Sequence, residues 1–386
     1  PDPGVRRAAV QWVGEANHKE LRWLVESQFR QPGMTTELLL ASLATLSLLD
    51  GVPASEFEKT PPTAYALAMV TDASKPAALR ATALRMLPPA TPELPTKLLL
   101  EFLQSGDAAL QAEAVRTLMQ SPRPEAVAAL AEIVANPQAT LDHRADAIVA
   151  LSAMGPNAPE SVRIDALLLD GIESRLRLRD PNDGEVLQLE SIRAARNRAT
   201  EGTKLREALG KARETASVGS PLREAIDFAL VGKNDSGPLP LALDPQPAPS
   251  AGRRAFFSPQ GAQCAKCHTV HGRGGNVGPD LSVIARTMDR QKLFDSIMNP
   301  SKEISPQYLT WAITTTNGQV HTGIIVSENG GGDVELGDAQ GNILKIPRGQ
   351  IDERTPSPVS VMPQGLHQRM TPRELAEVIS YLEMLK

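Results

Sequence analysis

Cys264-Ala265-Lys266-Cys267-His268 is the stretch whose reading decides this chain, and it holds the only two cysteines among 386 residues. Two cysteines separated by two residues and followed at once by histidine form the attachment pattern of a c-type haem. The thiols add to two vinyl groups on one porphyrin edge, and the intervening pair spans that distance in a helical turn. The next residue is then directed under the ring, where its imidazole binds iron. One covalent haem c is therefore expected, on Cys264, Cys267 and His268. A redox Cys-x-x-Cys would need no trailing histidine and normally sits in a βαβ context. A zinc site on Cys264, Cys267, His268 and His271 would crowd four ligands into eight residues. With no other cysteine, a disulfide framework is excluded.

A sixth iron ligand has to come from elsewhere in the chain. Of ten methionines, most should be core filler. Met362 stands apart because Pro358-Val-Ser-Val-Met-Pro363 flanks it with prolines that stiffen an extended segment. A thioether opposite His268 would raise the reduction potential. Met370 is the alternative, and His367 would give bis-histidine ligation instead.

Outward from the motif, the C-terminal third changes texture repeatedly. Residues 252–258 begin a short helix bearing Phe256 and Phe257, and a Gly-rich loop runs from Gly272 to Gly278. A helix is predicted from Arg290 to Met298, stopping at Asn299-Pro300. Two β-branched runs, Tyr308 to Thr316 and Gln319 to Ser327, flank Asn317-Gly318, a hairpin signal. Val334–Leu336, Ile343–Ile346 and Gln350–Glu353 add shorter strands, so a small antiparallel sheet is expected at about 307–354. Thr371-Pro372-Arg373-Glu374 opens a last helix with an N-cap, a proline at the first position and a reciprocal glutamate. Its apolar stripe is Leu375, Val378, Ile379, Leu382 and Leu385.

Upstream, residues 232–251 read as a Pro-rich linker between residues 1–231 and 252–386. Residues 1–231 read as successive helices carrying a recurring signature: Ala9-Val10 with Val13, Ala83-Leu84 with Leu87, Ala114-Val115 with Leu118, and Ala147-Ile148 with Leu151. Recurrence near this spacing predicts stacked helix pairs of HEAT-like, degenerate form. The segments Asp50–Pro62 and Ser174–Arg198 break the period. The Arg-rich part, Arg175–Arg179 with Arg193, Arg196 and Arg198, reads as a solvated helix face, and Gly330-Gly-Gly332 as a hairpin tip. The fold expected is mainly α: a HEAT-like solenoid followed by a haem domain with an inserted antiparallel sheet.

Residues 252–386 resemble the planctomycete/verrucomicrobium-type haem-binding domain, a class I-like cytochrome c with a β insertion. The resemblance rests on Cys264-Ala-Lys-Cys-His268, Gly275-Asn-Val-Gly-Pro-Asp-Leu281, Asn299-Pro-Ser301, the hairpin at Gly318, Ser360-Val-Met-Pro363 and the closing helix. It implies His268 and Met362 as axial ligands and Pro279 as the carbonyl that accepts the proximal imidazole N–H. It also implies Phe256 around the cofactor, with Tyr381, where the first and last helices cross. The family usually reads Leu where this chain has Val361 and Met370, which is why Met370 stays open as a ligand.

Composition narrows the rest. Aromatic content is 3%, so Ala, Leu and Val must build most of the core. Residues 1–250 carry 26 basic against 32 acidic side chains, and residues 251–386 carry 14 against 13. That balance lacks the basic footprint of a nucleic-acid binder. No apolar run approaches the roughly 20 residues of a membrane span. The opening Pro1-Asp2-Pro3-Gly4-Val5-Arg6 reads like the interior of a repeat, as in a mature or trimmed piece of a longer chain. Electron transfer outside the cytoplasm, periplasmic or at the cell surface, is the expected role, rather than catalysis by this chain alone. A dehydrogenase would be a suitable donor, and a cytochrome or oxidase a suitable acceptor. The alternatives are the haem-bearing part of a larger oxidoreductase resembling a sugar or alcohol dehydrogenase, or a ligand-binding haem.

Overall fold

A computed structural model describes residues 2–31, 33–52, 63–232 and 248–386. Most of the linker read at 232–251, and nearly all of the Asp50–Pro62 break, lie outside the described residues. The protein is mainly α-helical, with a five-stranded antiparallel sheet and a two-stranded sheet in its C-terminal third. Its helices are α1 (Pro3–Glu15), α2 (Arg22–Gln28), α3 (Thr36–Leu49), α4 (Thr63–Thr71), α5 (Ala77–Met86), α6 (Thr96–Gln104), α7 (Ala108–Gln120) and α8 (Val127–Ala135). After these come α9 (Leu141–Ser152), α10 (Ser161–Ile172), α11 (Asp183–Ala195), α12 (Lys204–Thr215), α13 (Pro221–Val231), α14 (Pro249–Phe257), α15 (Arg290–Met298) and α16 (Pro372–Leu382).

Two compact units divide the chain, one of Pro1–Ala129 with His271–Arg273, the other of Leu130–Val270 with Gly274–Lys386. In the first, α1 packs on α3 and α5 on α7. Asp2, Thr35 and Asp107 each accept backbone N–H bonds at the start of α1, α3 and α7, which satisfies donors a helix cannot satisfy itself. The recurring signature lands on buried faces: Val10, Val13, Ala83, Leu84, Leu87, Ala114, Val115 and Leu118 are all core residues, while Ala9 is exposed. Glu113 is buried with Arg85, Arg116 and Arg273 around it. Burial alone would raise its pKa, but those guanidiniums hold it below the usual value.

In the second unit α9, α10 and α13 each pack against α11, and Ala147, Ile148, Leu151, Leu168, Ile192 and Ile226 are buried there. α14 and α16 then cross. Gly252 makes the crossing close, since a Cβ there would lie 1.8 Å from the Glu377 carbonyl oxygen. Phe256 and Tyr381 meet edge to face at the same place, 5.8 Å between centroids. α14 starts at Pro249, inside the segment read as linker, because proline at the first helical position costs no hydrogen bond. At α16 the capping box is complete: Thr371 accepts from Glu374 N, and the Glu374 carboxylate accepts from Thr371 N.

Two-residue strands β1 (Thr269–Val270) and β2 (Arg273–Gly274) form one small sheet. Strands β3 (Thr310–Thr315), β4 (Val320–Glu328), β5 (Val334–Gly337), β6 (Ile343–Ile346) and β7 (Ile351–Ser357) form another, in the order β6-β5-β4-β3-β7. Asn317-Gly318 turns β3 into β4 with Gly318 at φ +82°, and Thr314 pairs with Val320. The Gly330–Gly332 run is the β4–β5 tip. β7 extends beyond the run read at Gln350–Glu353 because its whole length pairs with β3.

The arginines read as a solvated face divide. Arg175, Arg177 and Arg179 are exposed, but Arg193 and Arg198 are buried and Arg196 is largely covered. Arg193 reaches Glu190 and Glu377, and Arg196 forms a two-pronged bond to Glu374 at 2.8 Å on each side. Arg254 on α14 takes Glu190 and Asp142, and Arg253 takes Asp146. Buried guanidiniums need such planar, multiply bonded partners to offset desolvation. The seam joining α9 and α11 to α14 and α16 is thus polar and paired.

Candidate haem-attachment site

After α14 the chain passes Ser258 and enters a short 3-10 turn, Cys264–Lys266. The turn is laced to the loop that follows it. The carbonyls of Ala265, Cys267 and Thr269 accept from Gly275 N, Gly278 N and Leu281 N, each at 2.8 Å. Successive odd-numbered carbonyls point one way there, and the Gly275–Leu281 segment lies along them. Gly278 is required by proximity: a Cβ there would sit 2.7 Å from the His268 ring.

His268 Nδ1 donates to the Pro279 carbonyl at 2.9 Å. A proton committed to Nδ1 leaves Nε2 as the nitrogen with a lone pair. Burial pushes the imidazole pKa down, and the Pro279 bond offsets only part of that. The ring is accordingly neutral at physiological pH, the state a ligating histidine needs.

Both cysteines are unpaired thiols. Burial pushes Cys264 up to about 12, and burial together with Asp338 raises Cys267. A redox-active cysteine has its thiolate favoured by the surroundings, and these surroundings do the opposite. Among the described residues no three His, Cys, Asp or Glu side chains converge as a metal cluster.

Cys264, Cys267 and His268 open onto a cavity of about 530 Å³, within the range expected for a cofactor site. Met362 lies on its wall, as do Pro279, Leu281, Ile284 and Leu293. Ser360 Oγ accepts from Met362 N at 3.1 Å, and Ser301 Oγ accepts from Ser360 N at 3.1 Å, so the Asn299-Pro-Ser301 turn steadies the methionine segment. Of the other candidates, Met370 is buried away from this cavity, beside a smaller one near α11. His367 does not line it, and neither does Phe256, which packs with Phe257 and Tyr381 in the helix crossing.

Two contributions to the wall were not read from the sequence. Met288 lines the cavity without proline flanks or any other signal to single it out. The inserted sheet contributes as well: Ile324, Ala339 and Gln340 face the cavity. Val277, Ile324 and Val361 form one cluster with Cys267, Tyr308 and Val326 against it. At the β5–β6 turn, Gly341 comes so close that a Cβ would lie 2.7 Å from the Lys266 carbonyl. Only the pairing of distant segments reveals that side of the site.

The sequence profile of the family described as Cytochrome c matches residues 250–324. The match spans α14, the Cys-x-x-Cys-His turn, the glycine loop, α15 and the first strand of the inserted sheet, ending within β4. No curated protein matches the chain.

Proposed function

We propose that residues 248–386 hold one covalent haem c, through thioethers at Cys264 and Cys267 and axial ligation by His268 and Met362, and that the protein passes single electrons to a redox partner outside the cytoplasm. The cytochrome c match supports haem binding and electron transfer in general. The observation that carries the finer reading is one cavity walled by both thiols, the His268 imidazole and the Met362 side chain. Its residues fit the group. The walls are largely apolar, and Nε2 of a neutral histidine is left as the ligating nitrogen.

When bound, the haem supplies a reversible one-electron change between ferric and ferrous iron. The chain's residues do the remaining work. Pro279 holds the His268 tautomer and ring plane through the Nδ1–H bond. Ser360 and Ser301 restrain the segment that presents Met362. Leu281, Ile284, Leu293 and Ile297 line the cavity with apolar surface, which would keep water from the bound group and lower the cost of reorganising solvent when charge changes. Occupation of both axial positions would leave no coordination site for substrate, so electron transfer is favoured over catalysis at iron. No helix among the described residues is long and apolar enough to cross a membrane. The helices of residues 1–231, HEAT-like in their recurring signature, serve in this reading as scaffold or docking surface.

Optical spectra of the oxidised and reduced native protein test this, together with its intact mass. A mass increment of one haem, low-spin spectra and the weak sulfur-to-iron band are expected. Met362→Ala should remove that band, while Met370→Leu and Met288→Leu keep it. A colourless chain with the mass of the bare polypeptide overturns the proposal.

A further inference from the structure

Behind the α14–α16 crossing lies a second, much smaller cavity, of about 20 Å³. Glu190, Arg193, Arg196, Arg254, Gln260 and Glu374 are among its lining residues. Three buried polar atoms on these residues have no hydrogen-bond partner among the described residues: Arg193 Nε, Arg196 Nε and Gln260 Oε1. Their other polar atoms are committed. Arg193 donates one terminal nitrogen to Glu190 at 3.3 Å and sets the other in an ion pair with Glu377 at 2.8 Å. Arg196 gives both of its terminal nitrogens to Glu374. Gln260 Nε2 donates to the carbonyls of Ser152 at 3.3 Å and Ala194 at 3.2 Å. Arg193 Nε lies 3.5 Å from Glu374 Oε1, but without hydrogen-bond alignment.

We propose that this cavity binds one water molecule, which accepts from Arg193 Nε–H and Arg196 Nε–H and donates to Gln260 Oε1. The volume favours a single molecule, since about 10–15 Å³ by this measure suffices for one water. The chemistry selects water over an anion. Two donors and one acceptor match a molecule that both accepts and donates, whereas a halide would face the Gln260 oxygen unfavourably. Charge agrees, because Glu190, Glu374 and Glu377 already answer Arg193, Arg196 and Arg254. The site has a positioning role. Gln260 belongs to the turn that leads from α14 into Cys264, and its amide already grips the ends of α9 and α11. The water completes that grip, so the attachment turn is seated on both helices through one side chain and one solvent molecule. This inference stands whether or not the haem reading does.

A high-resolution crystal structure of the full-length protein, with and without a bromide soak, tests it. One density peak is expected within hydrogen-bonding distance of all three atoms, with no bromide anomalous signal. Gln260→Met, similar in length but lacking the acceptor, should lose the peak. A bromide signal at the site overturns the assignment in favour of an anion, and absence of density overturns it outright. A peak that stays in place in Gln260→Met removes Gln260 as its partner. If that variant fails to fold, the wild-type density and bromide results decide alone.

Discussion

Replacing Glu374 with Gln should cost about 3 kcal/mol of stability at pH 7, and the cost should fade in acid. Glu374 is buried at the start of α16, which by itself would raise its pKa, but Arg196 and Arg193 bring it down to about 2 from an ordinary value of 4.5. The difference, at about 1.4 kcal/mol per pH unit, amounts to about 3 kcal/mol in favour of the folded carboxylate. Because the folded value lies below the unfolded one, this contribution is complete above pH 4.5. It is lost as pH falls toward 2. The neighbouring Glu377 runs the other way: burial raises its pKa, so protonation there favours the folded state. Comparing wild type with Glu374→Gln at each pH removes the part of that background due to burial and Glu190, while the part due to Glu374 itself belongs to the measured difference. Urea unfolding of both proteins at pH 7, 5 and 3 is the assay. The gap between them should be about 3 kcal/mol at pH 7 and less than half that at pH 3. A gap below 1 kcal/mol at pH 7, or one unchanged from pH 7 to pH 3, would refute the argument that Arg196 and Arg193 sustain a buried carboxylate.

Gly252→Ala puts a methyl against the Glu377 carbonyl and should destabilise by about 1–3 kcal/mol or more through overpacking, read as a lower thermal midpoint. Gly278→Ala crowds the His268 ring; on the proposed haem reading it should weaken ligation by His268, seen as a mixture of spin states in the optical spectrum rather than as a large loss of stability. Arg254→Met leaves the buried Glu190 with only the longer Arg193 contact and should cost about 3 kcal/mol, the lower end expected for breaking a buried pair. On the surface, Arg22 pairs with Glu26 and Asp50; Arg22→Ala breaks both and should cost less than 1 kcal/mol, and urea titration of the two variants side by side checks the contrast.

Legibility in the sequence follows the reach of the interactions. The Cys264–His268 turn, the Asn317-Gly318 hairpin and the Thr371–Glu374 cap are local chemistry, complete within a few residues, and each has the form its residues predict. The α-rich architecture with a small sheet was readable for the same reason, through periodicity and turn residues. Arg193 and Arg196 were misjudged as solvated because helical spacing tells which residues share a face, not what covers that face. The carboxylate that covers Arg196 is 178 residues away. Met288 and the β5–β6 turn escaped notice similarly, since their place on the cavity depends on how the inserted sheet folds back. Met362 was conspicuous only because prolines frame it.

The three carbonyls of Ala265, Cys267 and Thr269 take their donors from a loop that starts eight residues beyond the second cysteine. The pentapeptide is therefore no portable cassette. Grafted alone into a foreign helix it would bring the reactive atoms but leave behind the scaffold that orients them. Shortening or lengthening the span between His268 and Gly275 by a single residue would put those carbonyls out of step with their donors. An engineer moving this module should cut no closer than Leu281.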